Sequence, residues 1–400
     1  MPEYLRQIRF YCLALIMYVV LNSAIWHLFT HQFTDPTYYV GDLARISYLA
    51  QYAQPRQRVN TLPKRHISYD AWNGEAIDLI TIGDSFSGGG GSGSNSFYQD
   101  WIATQHNLSV MNLPKLSDTV SSVETAYILL NSGFLDELSP KALLLQDVAR
   151  KVVKKHGGKV HTDQQWSSHQ IKSVYSSKGD IQSASDSDPK LGNLERLISA
   201  ISTSKPKTQR LSYSFLNSGN MKFLLNQLLY IFDDNAISSQ VYRMSLKRSH
   251  FSKDTGNTLL IYFEDIQSVF GSSDESVAIV TQNLNDLATA LERNGIALYY
   301  MPAVDKFDAY YDEILEPRYP RNPLFEELRK YPRTYHLVDT QVILGAGIAE
   351  GEKDIFFLDD THWTWKAAKR ISRPSYFHQE PIPRLSRRLF DQHGKYSAAA

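Results

Sequence analysis

Two short motifs near opposite ends of this 400-residue chain carry side chains that can make a nucleophile, a base and an acid. They are Ile82-Gly83-Asp84-Ser85-Phe86 and Asp359-Asp360-Thr361-His362-Trp363. A serine hydroxyl is a weak nucleophile at neutral pH, so it needs a base within hydrogen-bond reach and donors for the oxyanion that forms on attack. His362 can take the serine proton and return it to a leaving group, while a nearby carboxylate fixes its tautomer and stabilises the imidazolium. Asp360 fits an Asp-x-His arrangement and is preferred; Asp359, at Asp-x-x-His spacing, is the alternative. Read without catalysis, Gly83-Asp84-Ser85 is an Asx turn and Asp359-Asp360-Thr361 is a cap for the helix expected from Trp363 to Ile371. Amides of the loop after Ser85 are the expected oxyanion donors. Arg150, just beyond a strand, is placed either at the mouth of the site or on the surface.

These residues need a scaffold that presents Ser85 at a strand end. Ile77 to Ile82 reads as a buried strand closed by a glycine turn, and α/β folds place ligands at such carboxyl edges. Helix and strand then alternate. A helix is expected at about 96–106, a strand at Leu108 to Asn112, a helix at 119–130 and a strand at Ala142 to Asp147. The rhythm fails over about 151–255 and resumes with a helix at Glu275 to Asn294 and a strand at Ile296 to Met301. A helix at Leu324 to Lys330, a strand at Tyr335 to Asp339 and a helix at Trp363 to Ile371 complete it. The pattern predicts an α/β fold, a doubly wound, mostly parallel sheet covered by helices on both faces. Within the insertion, Met221 to Phe232 has helical apolar spacing and is assigned to core packing, with a lid or partner contact as the alternative. Residues 33–76 form a lead-in in which no chemistry is legible, and 373–400 an extension.

Other chemistries fit less well. The run Gly88 to Gly91 lacks the Lys-Ser/Thr of a nucleotide loop and reads as a mobile or closely approached loop. His156, His161 and Asp163 lie in a polar stretch and read as solvated side chains, not as metal ligands. Balanced charge, 42 basic against 42 acidic residues, gives no general attraction to nucleic acid. The single cysteine, Cys12, excludes an intramolecular disulfide. No cofactor is called for.

Phe10 to Phe29 is apolar over about the 20 residues that cross a bilayer as a helix. Arg6 and Arg9 precede it and Asp35 and Asp42 follow, so residues 1–32 are expected to form a cytoplasmic start and an anchor, with the remainder outside. Bulky Trp26, His27 and Phe29 stand where a signal peptidase would need small residues. Trp26, Tyr38 and Tyr39 suit an interfacial belt.

Gly83-Asp84-Ser85-Phe86 and Asp360-Thr361-His362-Trp363 resemble the nucleophile and Asp-x-His-Trp elements of the SGNH/GDSL hydrolase superfamily, in its alginate O-acetyltransferase-like branch. Leu143 to Arg150 and Met301 to Tyr310 are similar to further segments of that branch, and the resemblance spans about Gly41 to Ile371. It implies an SGNH-hydrolase-like, flavodoxin-like three-layer domain over 77–372. It further implies transfer of an acyl group, acetyl foremost, to or from an envelope or extracellular polysaccharide through an acyl-serine, with a possible membrane acyl-carrier partner. Here the Asp-x-His element follows the serine, as in ordinary SGNH esterases, and the Gly-x-Asn-Asp block is absent. Asn112 is the candidate substitute for its asparagine donor, with Asp84 and Arg150 as further oxyanion or substrate candidates. The rival reading is an inactive polysaccharide-binding scaffold.

Overall fold

The structure is a computed structural model that describes residues 3–33, 40–178, 216, 218–236, 239–253 and 256–377. Asp35, Tyr38, Tyr39, residues 179–215 and the extension beyond 377 lie outside the described residues. Three strands, β1 (Leu79–Gly83), β2 (Val110–Pro114) and β3 (Ala142–Val148), precede a hairpin of β4 (Val241–Ser245) and β5 (Thr258–Tyr262). β6 (Ala297–Ala303) and β7 (His336–Leu337) follow. The main sheet has the order β2-β1-β3-β6-β7, and every neighbouring pair in it is parallel.

The chain winds from β1 to β2 on one side and to β3, β6 and β7 on the other. The switch point of the sheet therefore falls between the carboxyl ends of β1 and β3, where such sheets bind ligands. All five residues of β1 are buried, as expected of a parallel strand covered on both faces. In β3 the apolar run ends in Gln146 and Asp147, both fully buried. Buried polar residues need partners: Gln146 finds them in the turn around Ser85, and Asp147 in Ser122, Lys155 and His156. The long helix Asp274–Glu292 is capped by Ser273 and packs Val277, Val280, Leu284, Leu287 and Leu291 into the core at helical spacing.

Several expectations shift. Where the rhythm was expected to fail from 151, the chain forms a regular helix, Ala149–His156, that continues directly from β3, so the alternation persists to 156. Ser168–Lys178 is also helical, because Ile171 and Tyr175 bury one face against Tyr69 and Phe134 despite the serines around them. β5 and the capped apolar helix Thr340–Ala349 were not foreseen; two glycines blur the periodicity of the latter. Glu3–Leu28 is one helix, long and apolar enough to be a membrane span or a signal sequence, with only Asn22 and Ile25 buried.

Candidate active site

Ser85 follows β1 by two residues and is exposed, whereas most of the turn around it is buried. The turn is held from below. The Asp84 N–H donates to Gln146 Oε1 at 3.2 Å, and the same oxygen accepts from Ser87 Oγ at 2.9 Å. Asp84 Oδ1 accepts from the Phe86 N–H at 3.2 Å, which is the Asx turn, and Oδ2 accepts from the Val148 N–H at 2.8 Å. The Asx turn and the exposure of Ser85 thus coexist. Asp84 is spent on the turn and on β3, so it is not a substrate contact.

The imidazole of His362 bridges the two motifs. Its Nε2 lies 2.8 Å from Ser85 Oγ and its Nδ1 lies 2.6 Å from Asp360 Oδ1. Asp360 Oδ1 also accepts the His362 backbone N–H at 3.0 Å, which fixes the carboxylate to the loop that carries the ring. Asp359 does not touch His362. It is fully buried and accepts from the Gly41 N–H at 2.9 Å, the Gln54 N–H at 3.0 Å and Arg56 Nη1 at 2.8 Å. Neither aspartate caps the following helix, which starts at Trp365 with Thr364 as its cap.

Burial lowers the pKa of His362, but the charge and hydrogen bond of Asp360 and the charge of Asp42 more than reverse this, and the ring titrates above its ordinary value. Burial raises Asp360, yet the imidazole, Arg56 and backbone donors pull its carboxyl well below the usual range. Asp360 is therefore ionised whenever His362 is needed as a base. The Phe86 ring packs on the imidazole with centroids 4.7 Å apart and on Trp363 at 4.6 Å.

The loop bearing His362 is closed on itself and braced on both sides. Phe356 and Trp363 form an antiparallel bridge, and the Phe357 N–H donates to the His362 carbonyl at 3.2 Å. Lys306 fills the inside: its buried ammonium donates to the carbonyls of Phe357, Leu358 and Asp360 at 2.7, 2.8 and 3.2 Å. Burial pushes its pKa down to about 8, against the pull of Asp359 and Asp360, so it is mostly charged at neutral pH. Outside, Asp42 accepts from the Thr361 N–H at 2.8 Å and from Thr361 Oγ1 at 2.6 Å. Burial and the Asp360 charge raise its pKa. Arg56 stacks over Phe357 at 3.9 Å and also donates through Nε to the Gly91 carbonyl at 2.6 Å.

The lead-in, in which no chemistry was legible, thus supplies Gly41, Asp42, Gln54 and Arg56 to the site. No local pattern announces them, since each partner lies about 300 residues away. A Cβ on Gly41 would collide with the backbone of Asp359, so that glycine is there for close approach. The glycine run is closely approached too: a Cβ on Gly90 would overlap the His362 ring, and Gly91, at φ +82°, lies against Phe357.

The expected oxyanion donors change. The amides of Phe86, Ser87 and Gly88 all turn back onto Asp84, and that of Gly90 onto the Ser85 carbonyl at 2.8 Å. Of amides 85–88, only that of Ser85 bonds no described residue. It is one donor on hand for an oxyanion, and the Gly89 amide, which also bonds no described residue, is the next along the loop. Asn112 is not aimed at the site: its amide nitrogen donates to the Ser87 carbonyl at 2.9 Å, and its oxygen accepts from Thr81 and Gln99 at 3.0 Å. It holds the turn from beneath. Arg150 is likewise occupied, 2.8 Å from Asp305, 3.3 Å from Asp265 and 3.6 Å from Glu264. Against the effect of burial, Asp265 and Asp305 raise its pKa, and the ion pairs make it a strut between the helix that follows β3 and the segments after β5 and β6.

His156 is not a solvated side chain. It is fully buried, with Nε2 2.9 Å from Asp147, which also accepts from Ser122 and Lys155. Lys155 and His156 hold Asp147 well below the usual carboxylate range, against the effect of burial. His161 donates its N–H to Glu124 at the surface. Among the described residues, the ligand-type group assembled is Asp42, Asp360 and His362, with ligand atoms within 4.8 Å of one another. Its lone pairs face Thr361, His362 Nδ1 and backbone donors, which is the arrangement of a proton relay and not of a cation site.

No family model, curated protein or solved structure matches this chain. What the site can do therefore follows from its geometry.

Proposed function

We propose that the chain is a membrane-anchored serine enzyme, an esterase or O-acyltransferase, that handles acyl esters of a polysaccharide outside the cytoplasmic membrane. The observation that carries the reading is the relay Ser85 Oγ to His362 Nε2 at 2.8 Å and His362 Nδ1 to Asp360 at 2.6 Å, with the serine exposed. His362 accepts the Ser85 proton as Oγ attacks the acyl carbonyl, and the Ser85 N–H meets the oxyanion. Collapse expels the alcohol, which takes the proton back from His362 and leaves an acyl-serine. A sugar hydroxyl or water then loses its proton to His362, attacks the acyl carbon and releases Ser85. The choice between those acceptors depends on how well water is excluded. The polysaccharide and the acetyl group come from the SGNH resemblance, and the location from the apolar helix Glu3–Leu28.

The reading is tested on the full-length protein with a fluorophosphonate probe and p-nitrophenyl acetate. Labelling at Ser85, and loss of both labelling and turnover in Ser85→Ala, are expected. Turnover that survives the substitution refutes the mechanism, and no adduct on the native protein points to a silent scaffold. Mass spectrometry of polysaccharide from cells with and without the gene separates the two enzymes: acyl loss on deletion marks a transferase, acyl gain an esterase.

A further inference from the structure

The helix Ser218–Phe232 is amphipathic in the inverted sense. Leu224, Leu225, Leu228, Ile231 and Phe232 lie on one face at helical spacing and are 45% to 80% exposed. The face turned to the protein carries the amides. Asn220 accepts from Thr30 Oγ1 at 2.5 Å and donates to Asn22 Oδ1 at 3.2 Å, and Asn226 donates to the Ser47 carbonyl at 2.6 Å. Tyr230 donates to the Val241 carbonyl at 2.7 Å. Amides inside and leucines outside are the wrong way round for a helix facing water. They are the right way round for one facing hydrocarbon. From Phe223 to Phe232 there is no charged residue; Lys222 at one end reaches for Tyr48, and Asp233 and Asp234 follow at the other.

The exposed stripe is continuous with the apolar amino-terminal helix. The ring of Phe29 stacks on Phe223 with centroids 5.1 Å apart, and Leu28 and Phe29 are exposed beside it. A lipid surface needs no shape complementarity, only an uncharged apolar ridge with polar ends, and that is what this helix presents.

We infer that Ser218–Phe232 is a second membrane contact. It lies in the interface of the leaflet from which Glu3–Leu28 emerges, with Leu225, Leu228, Ile231 and Phe232 among the acyl chains. The inference rests on reading Glu3–Leu28 as an anchor. Its consequence is proximity. Asn226 is bonded to Ser47, at the end of the six-residue helix Asp42–Ser47, and Asp42 at the start of that helix bonds Thr361 beside the catalytic histidine. One short helix therefore separates the bilayer contact from the loop that carries His362. An acyl donor held in the membrane is delivered next to Ser85.

The test uses the full chain with Cys12→Ser, so that an introduced cysteine is the sole thiol, in vesicles of phosphatidylethanolamine and phosphatidylglycerol. An environment-sensitive fluorophore on Leu228→Cys is expected to show blue-shifted emission, to lose most of it to doxyl-labelled lipid and to resist iodide. The same label on Gln282→Cys, exposed on the helix Asp274–Glu292, serves as the water reference, and on Met17→Cys it reports the anchor. Iodide quenching at Leu228 with lipid quenching at Met17 overturns the inference and leaves the anchor standing. Iodide quenching at both sites removes both readings. Shielding of Leu228 from iodide and from lipid quencher means that protein covers the face, and overturns the membrane contact as well.

Discussion

Asp359 and Asp360 are adjacent, both buried, and only one of them faces His362, so exchanging each for asparagine separates catalysis from architecture. In Asp360→Asn the imidazolium that forms during attack loses a carboxylate 2.6 Å away. Two unit charges at that distance attract by roughly 6 kcal/mol at an effective dielectric of about 20, which at about 1.4 kcal/mol per decade sets a ceiling near 10⁴-fold in rate. The asparagine amide can also donate to Nδ1, moving the ring proton to Nε2 and leaving no acceptor for the Ser85 proton. We expect kcat/KM for p-nitrophenyl acetate to fall about 10³- to 10⁴-fold with the melting temperature little changed. Asp359→Asn keeps an oxygen acceptor but loses its charge beside Arg56. There the melting temperature should fall while kcat/KM, measured where the variant is folded, stays within about tenfold. The reverse pattern, a tolerant Asp360→Asn and a dead Asp359→Asn, refutes the assignment of roles.

His362 must be neutral to act as a base and its pKa is raised, so kcat/KM should climb with pH through an apparent pKa above 6.5. Asp42→Asn removes a charge that favours the imidazolium and should move that limb to lower pH; a limb that does not move argues against the coupling. Gly90→Ala places a methyl against the His362 ring and 2.7 Å from the Ser85 carbonyl, and should cost at least about 10²-fold in kcat/KM with the far-ultraviolet circular dichroism unchanged. Arg56→Ala leaves Asp359 buried without its cation and removes the tether to Gly91. A loss of roughly 3 kcal/mol in denaturant unfolding is expected, at the low end for a broken buried pair because two backbone N–H groups still serve Asp359.

Much of the scaffold was legible because parallel strands buried on both faces read as apolar runs. Residues 79–83 and 142–148 stand out in this way, and Asp274–Glu292 shows its period and its serine cap. Helix Ser168–Lys178 was hidden because two buried residues, Ile171 and Tyr175, outweigh its serine-rich surface, and tertiary burial overrides local composition. Lys306 lay within the segment Met301 to Tyr310 that carried part of the family resemblance, yet its role as donor to three carbonyls follows only from the loop being wrapped around it. Asn112 and Arg150 have side chains suited to a site; Asn112 stands midway along β2 and Arg150 two residues beyond the end of β3. The structure directs their donors inward, to Ser87 and to Asp305 and Asp265.

The sequence by itself determined the chemistry on offer: a serine after a buried strand, a histidine within two residues of a carboxylate, and an apolar segment long enough to span a bilayer. These are local facts, set by side-chain type and by periods of two and 3.6 residues. Tertiary structure alone decided which aspartate meets the imidazole, which amides are left for an oxyanion, and that Gly41, Asp42 and Arg56 brace a loop some 300 residues downstream. Those choices depend on directions in space, to within the few tenths of an ångström over which a hydrogen bond is made or lost, and such directions arise only when distant segments pack.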